Sequence, residues 1–131
     1  MSAPWQAVAA VTWALVAPPL FVYAASRVRR GHVGTHQVIM LTAVAIEVAV
    51  VVSFGFIEPS PRRAALTALP IFRIHLAFAI TALAGMAWQL ASRAAPRLRR
   101  LHRYSGPYVI LVWCLALLTG IYNFVFLYVL N

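Results

Sequence analysis

Four histidines and two glutamates are the side chains of this chain that are best suited to metal or proton chemistry. A neutral imidazole is the commonest metal ligand in proteins and also binds haem iron. A carboxylate can hold a hard or borderline metal ion or a proton. Where these side chains meet depends on the elements that carry them, and those elements are unusually apolar.

The apolar stretches have the length that a membrane helix requires. Hydrophobic residues make up 63% of the chain and charged residues 10%, a balance that excludes a soluble domain and a disordered chain. About 20 apolar residues cross a bilayer as a helix. The sequence therefore predicts an all-α integral membrane protein, a single domain over residues 1–131 with four transmembrane helices: residues 5–25, 36–57, 70–92 and 104–130.

Arginine distribution predicts the topology. All eleven basic residues are arginines, and eight of them lie after the first span or between the third and fourth spans. By the positive-inside rule these loops are cytoplasmic, which gives two antiparallel hairpins in one bundle with both termini outside. Basic residues at membrane edges argue against nucleic-acid binding. They are candidates for contact with lipid headgroups or haem propionates: Arg29, Arg30, Arg99, Arg100 and Arg103.

Both cytoplasmic loops contain the pattern R-x-R-R-x-H, at residues 27–32 and 97–102. Either a duplicated hairpin or repeated selection for positive charge on one side of the membrane would produce it. We expect each copy to lie between the two helices of a hairpin.

The same topology sorts the histidines into two sites. His36 and His102, with His32 beside them, are predicted to form an inner site, where paired imidazoles could ligate haem or a metal ion. The alternative is that these histidines contact headgroups or cap helices. Glu58 and His75 are predicted to form an outer site for a metal ion or a proton. The alternative is an ion pair of Glu58 with Arg62 or Arg73, beside a histidine that is only hydrogen-bonded.

Glu47 is the polar residue that the membrane tolerates least. Placing a charge at membrane depth costs at least roughly 2.5 kcal/mol, so this side chain needs a partner, a proton or water. We expect it to be either an interhelical hydrogen-bonding group or a functional one, with a partner among the other intramembrane polar residues: Gln89, Thr119 and Asn123.

Several short motifs resemble a known family. They are His36 with Met40 and Ala43, the run Ile74-His75-Leu76-Ala77, and His102-Arg103 followed by Thr119-Gly120 and Tyr122. Together they resemble the small four-helix membrane proteins of domain-of-unknown-function family 420, over about residues 16–128. Members of that family are associated with haem-copper terminal oxidases, and one branch resembles assembly or maturation factors.

The resemblance implies a non-enzymatic protein of a bacterial-type inner membrane that assists assembly or maturation of a terminal oxidase. His36, His75 and His102 stand at the family's histidine positions, and an oxidase subunit is the implied partner. Glu58 replaces a histidine of the family, and Glu47 replaces a small hydroxyl residue. A carboxylate is a poor haem ligand but a good ligand for zinc, so an outer copper or zinc site fits better than an outer haem.

A second function stays open at this point. Paired histidines on facing helices could be permanent axial ligands, which would make the chain a small b-type haem electron carrier or an accessory subunit of a respiratory complex. A catalytic function has little support, because the sequence contains no H-E-x-x-H motif and no glycine-rich phosphate loop.

Overall fold

Four long helices dominate the structure. The computed structural model describes residues 3–57 and 61–130, without the side chains of Arg62 and Arg63. Within these residues there is no strand, and four helices are long and apolar enough to cross a membrane. The all-α membrane fold class is thus confirmed. The helices, including one short one, are α1 Trp5–Arg29, α2 Val33–Ser53, α3 Pro61–Thr67, α4 Pro70–Ala94 and α5 Arg99–Phe124.

The chain divides into two compact units, residues 1–59 with 124–131 and residues 60–123. In the first unit α1 packs against α2. A stripe of mostly small residues is buried along α1, namely Ala14, Ala17, Phe21 and Ala24. Small side chains let helix backbones approach closely. Within a membrane the hydrophobic effect does not drive helices together, so this close packing is a main source of their association energy.

The turn after α1 explains where that helix ends. Gly31 has φ +83°, a left-handed conformation that costs a residue with a Cβ roughly 1–2 kcal/mol. The backbone N–H of His32 donates to Arg27 O at 2.9 Å, and that of Gly31 donates to Val28 O at 3.1 Å. This pair of hydrogen bonds is the Schellman motif. It closes α1 within one residue and turns the chain directly into α2.

In the second unit α4 and α5 form an antiparallel pair. Ala82 and Met86 are buried on α4, and Trp113, Ala116 and Leu117 on α5. Gly85 lies so close to α5 that a Cβ there would meet both γ-methyls of Val109 at 3.0 Å. The lack of a side chain at this position therefore sets the separation of the two helices.

The connection between α4 and α5 differs from the Gly31 turn. Ala95 is extended, as expected for a residue before proline, and a 3-10 turn, Pro96–Leu98, leads into α5. The first R-x-R-R-x-H copy thus ends α1, whereas most of the second copy lies in the first turn of α5. The two copies thus share a sequence pattern and a place between paired helices, but not a conformation. Leu101 stands where Gly31 would allow the left-handed turn, so the second copy has no equivalent stop.

The helix ends also depart from the predicted spans. α1 runs on through Arg27 to Arg29, because long basic side chains extend away from the apolar region and suit the negative end of the helix dipole. α2 ends at Ser53 and a 3-10 turn, Phe54–Phe56, follows. After α5 the chain continues as one π-helical stretch, Val125–Val129.

Candidate histidine sites

His36 is held against the opposite helix of its own hairpin. Its Nδ1 lies 3.1 Å from the carbonyl oxygen of Ala24, a residue with no exposed surface. A carbonyl only accepts hydrogen bonds, so in the neutral ring the proton is on Nδ1 and the lone pair is on Nε2. The same N–H···O=C contact orients histidines that bind metals, and it also joins two membrane helices.

His75 makes the corresponding contact in the second unit. Its Nδ1 lies 3.1 Å from Ala116 O and 3.1 Å from Thr119 Oγ1. The Thr119 hydroxyl is 2.9 Å from Leu115 O and 3.0 Å from Ala116 O, so its proton is directed to the backbone and its lone pair is available to the imidazole. Both neighbours accept from Nδ1, which again puts the lone pair of the neutral ring on Nε2.

Gly120 makes room for the His75 ring. A Cβ at Gly120 would lie 3.2 Å from His75 Cε1 and 3.7 Å from Nδ1. Phe72, one turn earlier on α4, flanks the ring at a centroid distance of 6.3 Å. The position of His75 is thus determined from two sides, by packing and by hydrogen bonds.

His102 differs, because its Nδ1 has both an acceptor and a donor beside it. The backbone O of Gln89 lies 3.1 Å from Nδ1 and requires a proton there. When the Gln89 amide is turned to satisfy both of its ends, its nitrogen donates to the same Nδ1 at 2.8 Å and its oxygen accepts from Gly106 N at 3.2 Å. That arrangement requires the proton on Nε2. The Gln89 amide therefore decides which tautomer His102 adopts.

Ser105 extends this polar network. Its Oγ donates to Leu101 O at 2.7 Å and accepts from the indole Nε1 of Trp88 at 3.0 Å. In the first amide orientation Gln89 donates to the same Oγ at 2.7 Å. Ser92, fully buried one turn after Gln89, lies 3.5 Å from His102 Nδ1. These hydrogen bonds join α4 to α5 near the turn that connects the two helices.

His32 does not belong to these contacts. It is the N-cap of α2, its side chain is exposed, and it makes no capping hydrogen bond. His36 and His102 belong to different compact units, and each is bonded to the neighbouring helix of its own unit. Within the second unit, 14 residues separate His75 from Gln89 on α4, which places His75 and His102 about 20 Å apart.

These placements limit the cofactors that either unit can hold alone. Among residues 3–57 and 61–130, no three histidine, cysteine or acidic side chains lie together as a metal site. Glu58, the second member of the predicted outer site, lies outside the described residues. Neither unit by itself can ligate a haem iron with two histidines from opposite faces. His32 and His36 lie at the start of the same helix, and His75 and His102 lie at opposite ends of the α4–α5 pair. Within either unit, the described histidine, cysteine and acidic side chains thus form neither a three-ligand metal cluster nor a bis-histidine haem site.

Glu47 has a partner on α1 that is not among the predicted ones. The indole Nε1 of Trp13, on α1, donates to Glu47 Oε2 at 2.7 Å, and Trp13 is 6% exposed. A buried indole N–H usually finds an acceptor, and this requirement is the sequence signal that was missed. Of the expected partners, Gln89 and Thr119 make the contacts given above, and Asn123 has a buried Nδ2 without a hydrogen-bond partner in the described part of the chain.

The predicted arginines are exposed and have different surroundings. Arg100 lies over the Tyr104 ring, with its Cζ 5.7 Å from the ring centroid, which is a cation–π contact. Arg29 and Arg30 line an open depression in the surface at the end of α1. Arg99 and Arg103 are exposed in the first turns of α5.

Comparisons with protein-family models, with curated proteins and with solved structures found no match to this chain. The resemblance to family 420 therefore stays a prediction from its motifs, and the functional argument depends on the geometry of the side chains.

Proposed function

We propose that this chain is a non-enzymatic, multi-pass protein of a bacterial-type inner membrane that assists assembly or maturation of a haem-copper terminal oxidase. Four helices of membrane length support a multi-pass membrane protein, and the motif resemblance supports the bacterial-type inner membrane and the oxidase. The partner would be a membrane subunit of that oxidase.

The observation that carries the proposal is the fixed orientation of His36 and His75. Both stand at histidine positions of the resembling family, and both use Nδ1 for a carbonyl on the neighbouring helix. The Nε2 lone pair is the atom that such a ring offers to a metal or to haem iron. One imidazole supplies a single ligand, which suits transient contact with a cofactor in transfer better than permanent storage.

Deletion of the gene from its host tests the oxidase part of the proposal. We expect reduced-minus-oxidised spectra of membranes to lose most of the oxidase haem signal, and oxygen consumption by the oxidase to fall in parallel. Expression of the wild-type chain from a plasmid should restore both. Unchanged oxidase content in the deletion strain would show that the proposal is wrong.

The same strain separates a ligand role of the histidines from a structural role. An asparagine at position 36 or 75 keeps a donor near the place of Nδ1 but removes Nε2. If Nε2 is the working atom, His36→Asn and His75→Asn should fail to restore the oxidase while accumulating normally in the membrane. His32→Ala is the matched control, because that exposed side chain makes no capping hydrogen bond.

A visible spectrum and metal analysis of the purified protein test the competing carrier function. A small b-type electron carrier would retain about one haem per chain, and the proposed assembly factor would be isolated without a stoichiometric chromophore. A haem at one equivalent that His36→Asn abolishes would replace the assembly proposal with the carrier.

A further inference from the structure

Arginine charge in this chain greatly exceeds what its own side chains can neutralise. The sequence contains eleven arginines and two glutamates, with no lysine and no aspartate. At least nine arginines therefore have no side-chain carboxylate to pair with one to one. For a protein with membrane-length helices, the phosphate groups of anionic lipids are the nearest abundant anions.

One group of these arginines borders an open depression in the surface. Val22, Ala25, Ser26, Arg29 and Arg30 line a space of about 410 Å³ along the last two turns of α1. Their spacing puts them on one face of the helix, over a length of about 12 Å. Val22 and Ala25 make the end nearer the middle of α1 apolar, and the two arginines lie where the helix ends. We call this face the α1 groove.

We propose that the α1 groove binds one anionic phospholipid. Arg29 and Arg30 hold the phosphate, and an acyl chain lies along Val22 and Ala25. A planar guanidinium can form two parallel hydrogen bonds to a phosphate, which an ammonium cannot. The proposal does not depend on the oxidase function.

Among the described groups near the α1 groove, only the arginines are suited to bind a phosphate. Ser26 Oγ donates to Tyr23 O at 2.7 Å, so its proton is not available to a phosphate. The C-terminus of α1 carries partial negative charge, which opposes an anion there. Arg27, in the same last turn, has a buried Nε without a hydrogen-bond partner among the described residues and adds positive charge at this end. The attraction for the phosphate must therefore come from the guanidinium groups.

Native mass spectrometry of the purified full chain, titrated with phosphatidylglycerol or phosphatidylcholine, tests the proposal. We expect the wild-type chain to retain one phosphatidylglycerol and to bind phosphatidylcholine much more weakly. Arg29→Ala with Arg30→Ala should weaken phosphatidylglycerol binding roughly 30-fold, from about 1 kcal/mol for each arginine near an anionic lipid. Arg29→Lys with Arg30→Lys should lose part of the affinity, because charge remains and the bidentate contact does not.

Two further variants distinguish binding in the α1 groove from attraction of the lipid to net positive charge. Arg93→Ala with Arg97→Ala removes the same charge outside the groove and should leave the bound lipid in place. Val22→Trp keeps both groove arginines and fills the apolar end; Val22 is 71% exposed, so the larger side chain has room without disturbing the packed face. This variant should also lose the lipid. Circular dichroism and size-exclusion chromatography verify that each variant is folded.

Two results would overturn the proposal. If Arg93→Ala with Arg97→Ala weakens binding as much as the groove variant, the lipid responds only to net charge. If inorganic phosphate alone saturates the wild-type chain as tightly as phosphatidylglycerol does, the groove binds a free anion and not a lipid. Both readouts are binding measurements, so they stand apart from the loss of oxidase that tests the proposed function.

Discussion

The indole N–H of Trp13 donates a 2.7 Å hydrogen bond to Glu47 Oε2, and this bond joins α1 to α2. Trp13 is almost fully buried, and Glu47 lies in the middle of α2, away from the arginines at the end of α1. The contact gives the first hairpin a polar link that fixes the register of its two helices.

We predict that this bond is a measurable part of the stability of the hairpin. Trp13→Phe removes the donor and leaves space beside the smaller ring, so the free energy of unfolding should fall by more than the roughly 1 kcal/mol of an interhelical hydrogen bond in a membrane. Glu47→Gln should cost less, because the amide oxygen still accepts. A double-mutant cycle with Trp13→Phe and Glu47→Leu isolates the pair from the other contacts of Glu47. Strictly additive losses would show that the bond contributes nothing.

The contact between Gly85 and Val109 gives a second prediction. Gly85→Ala places a Cβ 3.0 Å from both γ-methyls of Val109, so α4 and α5 must separate or Val109 must move. We expect a loss of about 1–3 kcal/mol in the free energy of unfolding, as for other overpacked sites. Val109→Ala in the same chain should recover most of it.

Gly106→Ala is the matched control on α5, because the atom nearest its new Cβ would be Gln89 Oε1 at 3.8 Å, an ordinary contact. The free energy of unfolding of that variant should equal that of the wild-type chain or be slightly higher. Equal losses at Gly85 and Gly106 would mean that general helix effects, and not the contact with Val109, decide the result.

The Gly31 turn gives a third prediction. Gly31→Ala forces a side chain into the left-handed region at φ +83°, and we expect it to cost about 1–2 kcal/mol. Gly31→Asn should cost less, since asparagine tolerates this conformation best after glycine. Gly34→Ala, three residues later, meets no atom within 4 Å and should be neutral or stabilising. Thermal unfolding in one detergent compares the three variants, and equal melting of Gly31→Ala and Gly34→Ala would contradict the assignment.

Apolar length was enough to predict the four long helices, because membrane thickness sets a lower limit that few other structures meet. It did not predict α3, since Pro61–Thr67 lies in a segment that reads as a loop between two spans. Nor did it predict that the first arginine motif ends a helix and the second begins one. That difference follows from Gly31, whose left-handed turn has no counterpart at Leu101.

Partner choice was harder to predict than helix position. Helices that are apolar on every side give little indication of which face meets a neighbour. Sequence alone therefore favours amide and hydroxyl partners for Glu47, although the indole of Trp13 is also a hydrogen-bond donor. The candidate histidines were identified from sequence, but their carbonyl partners were not, because every helix residue carries a carbonyl and the sequence cannot say which one an imidazole reaches.

The tautomers of the histidines give the last prediction, and it distinguishes them from one another. Nitrogen-15 chemical shifts of the labelled protein at a pH where the rings are neutral should place the proton of His36 and His75 on Nδ1, because both face acceptors there. His102 should report whichever orientation the Gln89 amide takes. Gln89→Leu removes the donating amide but keeps the backbone carbonyl of residue 89. The variant should therefore shift the His102 proton fully to Nδ1. A spectrum of His102 that does not respond to Gln89→Leu would show that the amide does not control it, whereas a proton on Nε2 of His36 or His75 would remove the orientation on which their ligand role depends.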